Sequence, residues 1–126
     1  MGMGKVAQPG LIITREASAD LSARQYHAVK IIAGGRTTFT DILGEYALGI
    51  LQNRPRVGEA AAVCVAGTTF ASADAAIAEG AEIAVQNNGR IRTATIGNYV
   101  LGRALEPALA TGNIIEIILD GGYFRP

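Results

Sequence analysis

Gly44-Glu45-Tyr46-Ala47-Leu48-Gly49 occurs again as Gly97-Asn98-Tyr99-Val100-Leu101-Gly102, four identities in six at an offset of 53. The likeness runs outward from both stretches. Gly35-Arg36 is answered by Gly89-Arg90, Ile42 by Ile96 and Ala28-Val29 by Ala84-Val85; downstream, Pro55 is answered by Pro107 and Gly58 by Gly112. Small changes of offset place the insertions in turns. The chain therefore reads as two copies of one supersecondary unit, about residues 19–67 and 75–119, joined by a polar, Ala-rich link. Two copies fall short of the three that a stacked solenoid needs, so an internally duplicated β-domain is the better reading.

Composition agrees. A chain of 126 residues is one domain by length and can bury an ordinary small core. Its 16 glycines are about twice the usual share of ~7%, without a triplet period, and imply many tight turns. Eleven basic and eleven acidic side chains cancel, so no global field draws the chain to nucleic acid or a membrane surface. A single cysteine excludes an internal disulfide. No apolar run has the length of a membrane span, and no signal-peptide core follows Met1-Gly2-Met3-Gly4-Lys5. Synthesis and retention in a reducing cytoplasm, or in a particle assembled there, is the expectation.

Taken in order, residues 1–10 read as a mobile arm, 11–120 as one β-domain and 121–126 as a tail. Leu11–Thr14 is a short β-prone run, and Tyr26–Ile32 alternates up to Gly34-Gly35, which close a hairpin onto Thr37–Thr40. Tyr46–Gln52 is a strand in which Gly49 leaves room for another backbone or a large ring. Ala60–Ala66 is apolar throughout and suits a strand buried on both sides. Over Ser72–Glu79 a short helix competes, since Ser72 can cap an Ala-rich turn. In the second copy Asn88-Gly89 marks a hairpin, and Tyr99–Leu105 repeats the strand with Arg103 in the place of Ile50. Ile114–Leu119 is the most apolar strand. The fold class is thus mostly β, a small single-domain barrel or sandwich with at most one or two short helical turns.

Few residues offer chemistry. Cys64 sits in the most apolar run, where a thiol is ordinarily a small inert hydrophobe, and His27 lies in a strand-like stretch. Scattered acids and a single histidine give no converging metal ligands. Gly34-Gly35-Arg36 leads into a strand rather than a helix, and neither G-x-x-x-x-G-K-[ST] nor G-x-G-x-x-G occurs, so no nucleotide site is visible. Arg54/Arg56 and Arg90/Arg92 read as solvated or carboxylate-paired faces. No cofactor, metal or catalytic site is expected.

The duplicated G-x-Y-x-L-G strand, the Asp20-Leu21-Ser22 turn, the Leu48–Pro55 segment with Gly58-Glu59-Ala60-Ala61, and the Asn88-Gly89 hairpin together resemble the capsid decoration, or cement, proteins of tailed bacteriophages. The resemblance covers residues 18–119. It implies a non-enzymatic domain, synthesised in the bacterial host cytoplasm, that trimerises on the outer surface of an expanded head. There it would sit over local threefold positions and clamp major capsid protein subunits. It further implies coat-protein contacts from the arm, with Lys5, Val6, Gln8 and Pro9 as candidates. Subunit contacts fall to Tyr46, Tyr99, Arg103, Tyr123 and Phe124, because Tyr is enriched at interfaces and exposed tail rings need a surface to dock on. For Tyr46 and Tyr99 the duplication alone also predicts equivalent core or rim rings. For Tyr123-Phe124, docking on the chain's own domain is equally open. Two rivals stand beside this reading: an unrelated β-barrel carrier or small-molecule binding module, and a small hydrolase using His27 and Cys64.

Overall fold

The duplication is written into the strand order. The computed structural model describes residues 7–120 and 122–126. Among these the strands are β1 (Pro9–Glu16), β2 (Ala28–Ile31), β3 (Thr37–Phe39), β4 (Gly49–Leu51), β5 (Ala60–Ser72), β6 (Glu82–Val85), β7 (Ile91–Thr93), β8 (Tyr99–Val100), β9 (Gly102–Ala104), β10 (Ile114–Leu119) and β11 (Tyr123–Phe124). One curled sheet has the order β3-β2-β4-β5-β10-β9-β6-β7, with β1 added along β5, while β11 pairs with β8 apart from it. The order is a palindrome: β3-β2-β4-β5 of the first half is matched by β7-β6-β9-β10 of the second.

Register makes the match residue by residue. Val29 lies opposite Gly49, and Ile83 opposite Gly102; Ile50 lies opposite Cys64, and Arg103 opposite Ile118. Ala28-Val29 therefore corresponds to Glu82-Ile83, and not to Ala84-Val85 as the apolar pattern suggested. Pro55 likewise is matched by Ala108 rather than Pro107, because the Leu21 N–H bonds to Pro55 O as the Ile77 N–H bonds to Ala108 O.

A second correction concerns the join. Residues 68–74 were expected to be a link, yet β5 runs unbroken to Ser72. Its first half pairs with β1 (Arg15 opposite Ala61, Glu16 opposite Ala60), and its second half pairs with β10 in the same manner (Ala71 opposite Ile115, Ser72 opposite Ile114). The chain leaves β1 and β5 alike. Ala17 N–H bonds to Glu59 O and Ala73 N–H to Asn113 O; Ser18 N–H bonds to Thr37 O and Asp74 N–H to Ile91 O. One strand thus closes the first copy and opens the second. These bonds also explain why Ser72–Glu79 is not helical: its backbone groups are taken by neighbouring strands, and tertiary pairing outweighs the modest helix preference of an Ala-rich stretch.

Each copy has its own small core, built from matched side chains. Ala17, Leu21, Val29, Leu51, Ala61 and Val63 cluster in the first. Ala73, Ile77, Ile83, Ala104, Ile115 and Ile117 cluster in the second. The expected hairpins are present, the first closing through a single 3-10 turn at Ala33–Gly35 and the second with Gly89 at φ 83°. The organising strands are shorter than Tyr46–Gln52 and Tyr99–Leu105, since only Gly49–Leu51 and Gly102–Ala104 join the main sheet. At the N-terminus, Pro9 and Gly10 belong to β1, and the Gln8 N–H donates to the Thr68 hydroxyl while Gln8 O accepts from the Thr68 N–H, so the stretch expected to be a free arm is already paired at its end.

Candidate functional site

Duplicated turns hold up an exposed apolar cluster. In the first, Glu45 turns its carboxylate back onto the N–H groups of Asp41 and Ile42, each at 2.9 Å. In the second, Asn98 Oδ1 accepts from the Thr95 N–H at 3.0 Å. Each turn then passes through a glycine of positive φ, Gly44 (74°) and Gly97 (90°), a region that a side chain disfavours. Lys30 braces the first turn by bridging Asp41 and Glu45. That contact raises the lysine's pKa and lowers that of Asp41, burial opposing both. The turns abut: the Tyr99 N–H bonds to Gly44 O at 3.0 Å, and Gly44 lies against the Asn98 side chain.

Just beyond each glycine stands a tyrosine. Tyr46 and Tyr99 meet edge to face with centroids 5.8 Å apart, and Tyr99 meets Phe124 the same way at 5.2 Å. All three rings are exposed, at 59%, 40% and 49%. Ile42, Leu43 and Ile96 stand out from the adjoining turns, and Ile96 is 79% exposed. Under the rings lies a cavity of about 140 Å³ lined by matched pairs, Tyr46 with Tyr99, Leu48 with Leu101, and Val65 with Leu119. An exposed apolar cluster of this kind is a candidate interaction surface.

The tail completes the row. Tyr123 and Phe124 form β11 against Val100 and Tyr99, so these rings dock on the chain's own domain. Glu82 fixes them from below: its carboxylate accepts from the Tyr123 hydroxyl and pairs with Arg125 at 2.5 Å. Arg103 faces Glu82 across the strands, its side chain half exposed and 3.9 Å from Asp120. Four of the five residues singled out for subunit contact thus share one neighbourhood, and Arg103 borders it. Ile42, Leu43 and Ile96 were missed as surface residues, although large aliphatics beside a duplicated turn glycine are the signal that could have found them. Of the coat-contact candidates, Pro9 is exposed at the start of β1 and Gln8 is tied to Thr68, while Lys5 and Val6 lie outside the described residues.

Elsewhere the chemistry-bearing residues are separately engaged. The Cys64 thiol is buried, donates to Ala66 O at 3.2 Å and has its pKa pushed up by burial. His27 is buried with Nδ1 at 3.1 Å from Gln25 O, and burial lowers its pKa. No hydrogen bond joins them among the described residues. Nor do three His, Cys, Asp or Glu side chains converge there. No helix among those residues is long and apolar enough to cross a membrane.

The family of phage cement proteins matches residues 7–119, nearly the whole described chain. The chain belongs to that family. A cement protein is a structural component, and membership gives this chain a capsid-decoration role, with association to the phage capsid in the virion. The cement fold has a solved counterpart in the crystal structure of the head fiber gp8.5 N base of bacteriophage phi29. It superposes with a TM-score of 0.71 at 14% identity, over 92% of this chain and 98% of that one. At this identity the likeness is one of fold. No curated protein matches the chain.

Proposed function

We propose that this cement protein binds the outer surface of an expanded tailed-phage head as a homotrimer at local threefold positions, clamping neighbouring major capsid protein subunits. The observation that carries the reading is the exposed row Tyr46–Tyr99–Phe124 with its flanking aliphatics. Rings held by a duplicated scaffold, and not by a loose loop, lose little entropy when a second copy covers them. We assign that row, with Tyr123 and Arg103 at its edge, to contact between copies. The coat protein is assigned to the β1 side, where Leu11 and Ile12 are half exposed and Pro9 begins the strand. Lys5, Val6 and Gln8 adjoin it in sequence. A small-molecule module is the weaker reading, because ~300–1,000 Å³ is the usual size of a ligand site, whereas the cavity under the rings is about 140 Å³ and two open surface pockets are about 280 and 270 Å³.

The test is native mass by light scattering over a dilution series, for the wild type and for Tyr99→Ser combined with Phe124→Ser. Co-sedimentation with expanded and unexpanded empty heads accompanies it. A trimer that the double substitution dissociates, with wild-type binding to expanded heads only, is the expected result. Wild-type protein that ignores both kinds of head overturns the reading.

A further inference from the structure

The shared strand gives the molecule two ends that carry the same device. β5 has 13 residues, so its ends lie at most ~40 Å apart at ~3.3 Å per residue. Residues 52–59 lead into its first residue. The matched loop, residues 105–113, leads into Ile114, which pairs with its last. The two loops therefore lie at opposite ends of β5.

Both are braced in the same way. Asn53 accepts the Ala62 N–H at 3.0 Å, and Glu106 accepts the Glu116 N–H at 2.8 Å. Glu59 caps the Arg56 N–H, and Asn113 caps those of Leu109 and Ala110. Gly58 N–H bonds to Ala17 O as Gly112 N–H bonds to Ala73 O. Each loop displays an aliphatic side chain to solvent, Val57 at 65% and Leu109 at 82% exposure, and Leu105 at the start of the second is exposed as well. The two are not at aligned positions, since the second loop is one residue longer, yet each loop keeps an apolar tip.

We infer that these loops are two quasi-equivalent contacts by which one chain spans two neighbouring copies of the same coat subunit. This rests on the capsid-decoration reading. A capsid repeats one protein surface at fixed intervals, and a chain that repeats its own contact at a fixed interval fits it. Two modest apolar contacts joined by a stiff strand then act together, which raises avidity over either alone by ~10²–10⁴. The surroundings differ: Arg54 and Arg56 flank Val57, whereas Glu106 stands in the second loop.

The test uses the whole chain with Val57→Asp, Leu109→Asp and both together, and repeats it with Val57→Ser and Leu109→Ser, which remove the aliphatic group without adding charge. Binding to expanded empty heads is measured, with melting temperature and native mass as controls. Each single substitution should weaken binding at least tenfold and the pair should weaken it further than either, with mass and melting unchanged. Wild-type protein that fails to bind heads overturns the decoration reading itself. Wild-type binding with unaltered binding of either single variant, or a changed native mass, overturns the two-ended contact alone.

Discussion

Gly49 and Gly102 occupy matched positions in β4 and β9, and adding a methyl group to either tests the register on which the duplicated fold rests. At Gly102 a Cβ would lie 1.8 Å from the Ile118 carbonyl oxygen and 2.9 Å from its carbon; at Gly49 it would lie 2.1 Å from the Cys64 oxygen. These are backbone atoms of the adjoining strand, so no rotamer change relieves the contact and the strands must part. Overpacking of this kind costs ~1–3 kcal/mol, and the severity here places Gly102→Ala at the upper end. Each kcal/mol moves the melting point by about 3–5 °C in a chain of this size. Gly102→Ala should therefore lower it by about 10 °C, with Gly49→Ala close behind. Gly112 is the control. It has φ 89° and nothing within 4 Å of an added Cβ, so Gly112→Ala carries only the backbone penalty of a left-handed residue, ~1–2 kcal/mol. Differential scanning calorimetry at one protein concentration separates them, since association also moves the melting point. A Gly102→Ala protein melting within about 2 °C of wild type, or no better than equal in effect to Gly112→Ala, would refute the close approach of β9 to β10.

Stability should also fall with mild acid through His27. Its pKa is lowered from 6.5, chiefly by burial and further by Arg24 and Arg90, with the Gln25 carbonyl opposing. The unfolded chain then binds the proton first, so the contribution is complete above 6.5 and is lost as pH falls towards the folded value. His27→Gln should flatten the melting temperature between pH 7 and 5, a range above that in which the lowered Asp20, Asp41 and Asp74 titrate; an unchanged slope would assign the loss to other groups. Cys64 should resist thiol reagent in the native protein and react at the rate of unfolding. Immediate native labelling would contradict its burial and revive the Cys/His hydrolase reading.

The duplication was legible because glycines are constrained by geometry. Gly44 and Gly97 need positive φ, Gly49 and Gly102 need absent side chains, and no substitution satisfies either demand cheaply. The boundary was not legible. Ala60–Ala66 is uniformly apolar and Thr68–Ser72 is not, which reads as strand followed by link; yet in the structure both are one strand, with different partners on its two halves. Register was blurred for a related reason. Ala84-Val85 resembles Ala28-Val29 in composition, but pairing with β9 assigns that place to Glu82-Ile83, and a two-residue shift preserves the alternation. At the site, Tyr46 and Tyr99 stood out through the repeat itself. Ile42, Leu43 and Ile96 did not, because the exposure of an aliphatic depends on what the fold leaves uncovered.

That dependence accounts for where the copies diverge. Ala28 and Ile50 are a cross-strand pair on the outer side of the first copy, fully buried because the second copy covers them: the Ala28 N–H bonds to Gly89 O, and both side chains join the second core. The matched pair in the second copy is Glu82 and Arg103. Both of these side chains keep part of their surface in solvent, and a charged pair suits such a position, as on the capping unit of a stacked array. The change also has a structural use. The carboxylate at residue 82 holds both Tyr123 and Arg125, and with the pairing of β11 on β8 it keeps Phe124 against Tyr99. The residue at which the copies diverge thus helps to anchor the tail that gives the aromatic row its third ring.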